Sequence, residues 1–373
     1  MKRRSAQVTV MVPAVVLMSA MVSSASAVTA PADPETTVTR VRTVAAFDFA
    51  AGEAAENIVL APDGSQLVSM LGSPAGRPPQ LLRLSPSGRR TVLVAGELGD
   101  TFSGIARGSD GTVYYNVLSA DASRSGVWKL PPAGAPRRIA ALSTDAFPNG
   151  LALDDTGRTL YVSDTHKSTV YAVPTAGGTA TPWLVDQALA STQPEPSDYG
   201  ANGLRFHNGA VWVANTNQGT LLRIPVRAGG GPGGVRLVSR DVEWIDDFSF
   251  LSARSDVVFA ALNGADRVAV VYPDGTAQTV LTAADGLASP TSTAVRGRWL
   301  YITDSGIAQD PHDSKLQRAR IDLVTHNPLS VSSDGRGQYT AGPAAARGVA
   351  VVRGIGDASG RGRRDPHGEM PFP

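Results

Sequence analysis

The sequence predicts an all-β protein, a six-bladed β-propeller with a metal site in its central channel, and three observations lead there. One phrase recurs six times, each copy is rich in strand formers and tight-turn pairs, and no long helical period interrupts the series. The copies are "ENIVLAPDGSQLVSM", "SGIARGSDGTVYYNV", "NGLALDDTGRTLYVSDT", "NGLRFHNGAVWVANT", "DDFSFLSARSDVVFAAL" and "TSTAVRGRWLYITDS". They open at Glu56, Ser103, Asn149, Asn202, Asp246 and Thr291, a period of about 45 to 50 residues.

Within a copy, a short apolar strand leads through a Gly-bearing turn to an alternating strand that ends on a polar residue, then a loop and a third strand. Leu160-Tyr161-Val162, Val211-Trp212-Val213 and Leu300-Tyr301-Ile302 are β-formers, and Asp63-Gly64, Asp110-Gly111 and Asn208-Gly209 are turn pairs. Such a unit is a propeller blade, and radial packing of six protects most strand edges. Two stacked sheets would leave the six-fold recurrence without a reason. Ring closure needs one blade assembled from both chain ends. The strand "VTRVRTVAAFDF", Val38 to Phe49, precedes the first full phrase and is expected to complete the last blade.

The propeller is accordingly expected over 38–345. Residues 28–37, with "TAPADPETT", read as a disordered lead-in, and 346–373 as a loose tail too poor in apolar residues to pack. Residues 1–27 read as a secretory signal peptide. Lys2, Arg3 and Arg4 precede an apolar run that starts at Val8, and Ala25-Ser26-Ala27 offers a small-residue cleavage site. Export is therefore expected, with no membrane attachment after cleavage. The chain has no cysteine, so it has no disulfide and no thiolate nucleophile. Charged residues are 18% of the 373 and the formal net charge is +1, which gives no field for nucleic acid. The expected partner is a small-molecule substrate, and the expected state a monomer.

The innermost strand of every propeller blade begins near one mouth of the channel, so the six openers form a ring there. That ring holds two carboxylates, two carboxamides and two hydroxyls. Oxygen donors converging from separate blades suit a hard divalent cation, Ca²⁺ first, with Mg²⁺ or Mn²⁺ as alternatives; zinc is the poorest fit because no His or Cys is in the ring. Asn at 149 and 202 supplies a carbonyl oxygen. Gly104, Gly150 and Gly203 are expected to let the backbone enter the narrow channel with no Cβ in the way. Read singly, an Asn-Gly pair is more simply a hairpin turn or strand cap.

On "PNGLALDDTGRTLYVSD" and "ANGLRFHNGAVWVANT" the chain resembles the gluconolactonase and regucalcin-like family, and more distantly the paraoxonases. The resemblance implies a divalent metal held by Glu56, Asn202 and Asp246, with Asn149 near the substrate, and it implies lactone or ester hydrolysis. Two positions depart from the family. Phe147 stands where sugar-lactone members commonly carry Arg, which points away from a polyhydroxylated substrate, and Asp246-Asp247 stands where Asp-Gly is usual. Asp246 is the preferred ligand because Phe248 and Phe250 then align with Leu204 and Phe206.

Asp246 is the first candidate both to ligate the metal and to take a proton from water; because a carboxylate bound to a cation is a weak base, Asp247 and Glu56 stand as substitutes. Ser103, Thr291 and Phe147 are placed at the substrate's edge. Asp198 and Tyr199 belong to the long insertion "DQALASTQPEPSDYGA", expected over the same mouth. Asp164, Asn215 and Asp304 end second strands and are read as loop-fixing; His166 and His207 are read as surface residues. No Gly-x-Ser-x-Gly elbow occurs, and "GGGPGG" is a flexible turn. The rival reading is a non-catalytic propeller that binds a ligand or protein around a structural metal.

Overall fold

The computed structural model describes residues 35–195 and 197–324. The signal segment and the tail from 346 lie outside the described residues. Six four-stranded antiparallel sheets follow one another, and no α-helix occurs among the described residues. Blade one comprises Ala55–Leu60, Gln66–Met70, Gln80–Leu84 and Arg90–Ala95. The innermost strands of blades two to six are Thr101–Arg107, Pro148–Leu153, Ala201–His207, Ile245–Ser252 and Pro290–Arg296. In blade six the outermost strand is Glu35–Ala46, paired antiparallel with Lys315–Val324, so the spare strand closes the ring as expected. It starts at Glu35, ahead of Val38.

Side chains alternate between the two faces of a strand, and here both faces of each blade are apolar. Tyr114 packs with Leu151 and Leu160 of blade three, while its neighbour Tyr115 packs with Leu67 and Leu81 of blade one. Blade five divides likewise: Phe248 and Val258 join Trp212 and Leu221 of blade four, and Phe259 and Val268 join Leu300 and Ile302 of blade six. The ring therefore has six interblade cores in place of one central core. Each buried aromatic or aliphatic side chain contributes about 1.5–3 kcal/mol. The six openers at the channel are all polar.

The pairing of every innermost strand slips at its opener. Register jumps from Ala55 to Ile58, Phe102 to Ile105, Pro148 to Leu151, Ala201 to Leu204 and Ile245 to Phe248, and in blade six from Pro290 to Ser292. A bulge leaves residues unpaired and re-aims their side chains. Here it frees the opener, and in five blades the residue after it. The freed backbone groups find side-chain partners. Ser69, Ser163 and Thr303 accept from the N–H of Asn57, Gly150 and Ser292 at 3.1, 2.8 and 3.1 Å. Thr303 and Ser163 also donate across to the carbonyls of Glu56 and Asn202 in the next blade, and Asn116 donates to that of Asn149 at 2.7 Å.

The glycines after the openers are required for the missing Cβ, as expected, and not for backbone freedom. None of Gly104, Gly150 and Gly203 has a positive φ. A Cβ on Gly150 would lie 2.5 Å from Leu204 N, and one on Gly203 would lie 2.5 Å from Asp247 Cα. Neighbouring blades approach so closely at this level that any side chain would push them apart.

Candidate metal centre

The bulges deliver Glu56, Ser103, Asn149, Asn202 and Asp246 to one recess at the channel mouth, joined there by Leu71, Phe147, Tyr199, Thr216 and Asn263. Its free volume is about 30 Å³, the share of one water or ion, and it opens to solvent beyond that. Glu56, Asn149, Asn202 and Asp246 are each only 6–7% exposed. Thr291, the sixth opener, does not line the recess; its hydroxyl is bonded to the carbonyls of Ala55 and Thr303. Ser103 lines it while donating to Pro148 O at 2.6 Å.

Asn202 donates from Nδ2 to Thr216 Oγ1 at 3.0 Å, and Thr216 in turn donates to Ile245 O at 2.7 Å. The amide is thereby oriented, and its Oδ1 is left buried with no hydrogen-bond partner among the described residues. Asp246 Oδ2 accepts from Asn263 Nδ2 at 3.3 Å. Burial, and then the charge of Asp247, pushes the Glu56 carboxyl up to about 8; burial, then Glu56 and Asp247, holds Asp246 well above the ordinary carboxylate range. Two buried carboxyls that resist ionisation together and an oriented carbonyl oxygen with no donor form a donor set a divalent cation would satisfy. Among the described residues no group of three or more His, Cys, Asp or Glu meets the geometry of a metal cluster, so any ion here depends on the amide oxygens as well.

Asp247, read from the sequence as a substitute base, does not line the recess. Its Oδ2 accepts from Asn57 Nδ2 and Ser292 Oγ, both at 2.8 Å, and pairs with the Arg205 guanidinium; its Oδ1 accepts from Phe248 N at 2.8 Å. Asn57, Arg205, Asp247 and Ser292 belong to blades one, four, five and six, so this charged knot ties the ring together. Arg205 escaped the sequence reading because alternation alone does not tell a channel-facing residue from an outward one.

The insertion does reach the mouth. Tyr199 lines the recess, and burial, then Asp198, pushes its hydroxyl up to about 12, so it remains a proton donor at neutral pH. Asp198 itself lies 3.6 Å from His166, which stacks on Phe147 at 5.0 Å between ring centroids. Asp198 thus touches the rim and not the recess. Asp164, Asn215 and Asp304 fix loops as read, accepting from Phe147 N, Gln218 N and Ala288 N. His207 is a correction: it is buried and stacked on Phe250 at 3.7 Å. Leu71, Thr216 and Asn263 were missed; each follows the second-strand residue paired just before an opener, a position visible only once strands are paired.

No family model and no curated protein matches the sequence. Solved structures do. A provisionally assigned gluconolactonase is 17% identical over 77% of this chain and 93% of that one, with a TM-score of 0.56. Regucalcin of Agrobacterium tumefaciens, a calcium-binding protein, is 18% identical over 76% of this chain and 93% of its own, at 0.55. The chain has the propeller fold of these proteins. The aldose sugar dehydrogenase of Streptomyces coelicolor, solved with bound PQQ, is as similar, with 15% identity over 78% and 100% and a TM-score of 0.54. One fold thus carries different chemistries, and function has to rest on the recess.

The raised Glu56 carboxyl fixes the sign of a pH effect. The folded chain holds this proton more tightly than the unfolded chain, whose value is the ordinary 4.5. Its contribution to stability is therefore complete below pH 4.5 and is lost as pH rises through about 8. Chelator-treated protein is expected to melt lower at about pH 9 than at about pH 5, and Ca²⁺ to flatten that slope. A midpoint in chelator that does not fall over this range would contradict it.

Proposed function

We propose that the protein is an exported, divalent-cation-dependent hydrolase of a lactone or related ester with an apolar body. The observation that carries this reading is the buried, unpartnered Asn202 Oδ1 beside two carboxyls that burial keeps from ionising freely. Glu56, Asn202 and Asp246 would hold the cation, Ca²⁺ being the ion their hard oxygen donors suit best. When bound, it would supply charge stabilisation to the carbonyl oxygen under attack. Asp246 takes the proton of the attacking water, and Glu56 is the other carboxylate within the recess able to do so. Asn149 and Ser103 hydrogen-bond the substrate's polar edge, while Phe147 and Tyr199 cover its apolar side and limit water.

The test is turnover of a lactone and ester panel by the purified mature protein, with and without chelator. Hydrolysis that chelator removes and Ca²⁺ restores supports the reading; no turnover across the panel would leave a binding propeller in its place. Export rests on the charged and apolar start of the chain. Mass spectrometry of the extracytoplasmic protein is expected to find an N terminus near Val28, and retention of Met1 would contradict it.

A further inference from the structure

Between blades six and one lies a cleft that shares no lining residue with the recess, lined by Arg42, Arg296, Tyr301 and Arg318 and by Ser85 and Ser87 of the first blade's outer hairpin. No Asp or Glu lines it. None of the three arginines takes part in an ion pair among the described residues. Arg42 and Arg318 are directly opposed in register where the closing strand pairs, an arrangement of like charges that a sheet ordinarily avoids. Both guanidiniums lie over the Trp299 ring, at 6.0 and 4.3 Å, so their planes are set by packing and not by a carboxylate. Arg318 Nε is buried and without a hydrogen-bond partner among the described residues.

We propose that this cleft binds an oxyanion, a phosphate or sulfate group, either free or carried as an ester on a small organic body. Guanidinium forks match the paired oxygens of such a group. The Arg42 and Arg318 guanidinium groups, neither paired with a carboxylate, are the donors offered to it, and the hydroxyls of Ser85 and Ser87, 2.8 Å apart, line the same cleft. The cleft has about 530 Å³ of free volume, which leaves room beyond the anion for the body of an ester beside Tyr301.

The experiment titrates full-length mature protein, in chelator and at constant ionic strength made up with chloride, with inorganic phosphate, sulfate and phenyl phosphate, read by calorimetry and thermal midpoint. Binding in excess of chloride is expected, and Arg318→Gln and Arg42→Gln should each weaken it at least about tenfold, with Arg137→Gln, on a distant edge strand, unchanged. Phenyl phosphate binding more tightly than phosphate supports an esterified ligand, and equal binding supports a free anion. Arg42→Gln should also melt no lower than the parent in chloride, since it relieves the like-charged pair. No binding beyond chloride, equal weakening by Arg137→Gln, or a lower chloride midpoint in Arg42→Gln would overturn the proposal.

Discussion

Asp246→Asn is expected to abolish hydrolysis, lowering kcat by about 10² or more through loss of the proton acceptor alone. The substitution keeps size and one oxygen donor, so the fold should survive. It even removes one of the buried carboxyls whose mutual repulsion the ring must contain. Metal-free Asp246→Asn is therefore expected to melt at least as high as the parent, while Ca²⁺ stabilises it less, because the ring keeps one carboxylate in place of two. Rates for both proteins at saturating Ca²⁺ make the comparison. A kcat near the parent's would remove Asp246 from the chemistry and pass the role to Glu56.

Arg205→Met is expected to destabilise the protein by about 3–5 kcal/mol, the usual cost of leaving a buried charge without its partner. The Asp247 side chain is 3% exposed, and Arg205 is the one cation paired with it among the described residues. Burial pushes this carboxyl up and already outweighs Arg205, Phe248 N–H, Ser292 and Asn57, which pull it down, so removing Arg205 widens the imbalance. Adding Asp247→Asn should recover part of the loss, since an amide needs no counter-charge there. Equilibrium denaturation of the single and double variants measures this. A loss below about 1 kcal/mol in Arg205→Met would show that Asp247 is satisfied without it.

The blades were legible because their signals are local. Alternation in "TLYVSD" and "AVWVAN" and turn pairs such as Asn208-Gly209, whose φ values are 47° and 66°, lie within a few residues of one another. The openers were legible because they recur at a fixed place in the phrase. What stayed hidden depends on partners far away in the chain. The bulge at each opener is a property of two strands in register, and Ser69, Ser163 and Thr303, which hold it, look in sequence like ordinary strand residues. Asn263, at the start of an Asn-Gly pair, reads as turn material, yet it reaches Asp246. Asp247 was given too large a part for the same reason. Nothing adjacent in sequence reveals that Asn57, Arg205 and Ser292 enclose it.

The central claim is that blades one, four and five deliver Glu56, Asn202 and Asp246 to one divalent ion, and calorimetric titration of chelator-stripped, folded protein with Ca²⁺ near neutral pH tests it most directly. Run in two buffers of different ionisation heat, it should give one ion per chain and a release of protons, because Glu56, held up at about 8, must ionise to ligate. Glu56→Gln should release fewer protons, since Asp246 is then the one raised carboxyl left among the ligands, and should bind more weakly. Folded protein that takes up no Ca²⁺, Mg²⁺ or Mn²⁺, or that takes up Ca²⁺ equally well with Gln at 56, would contradict the account.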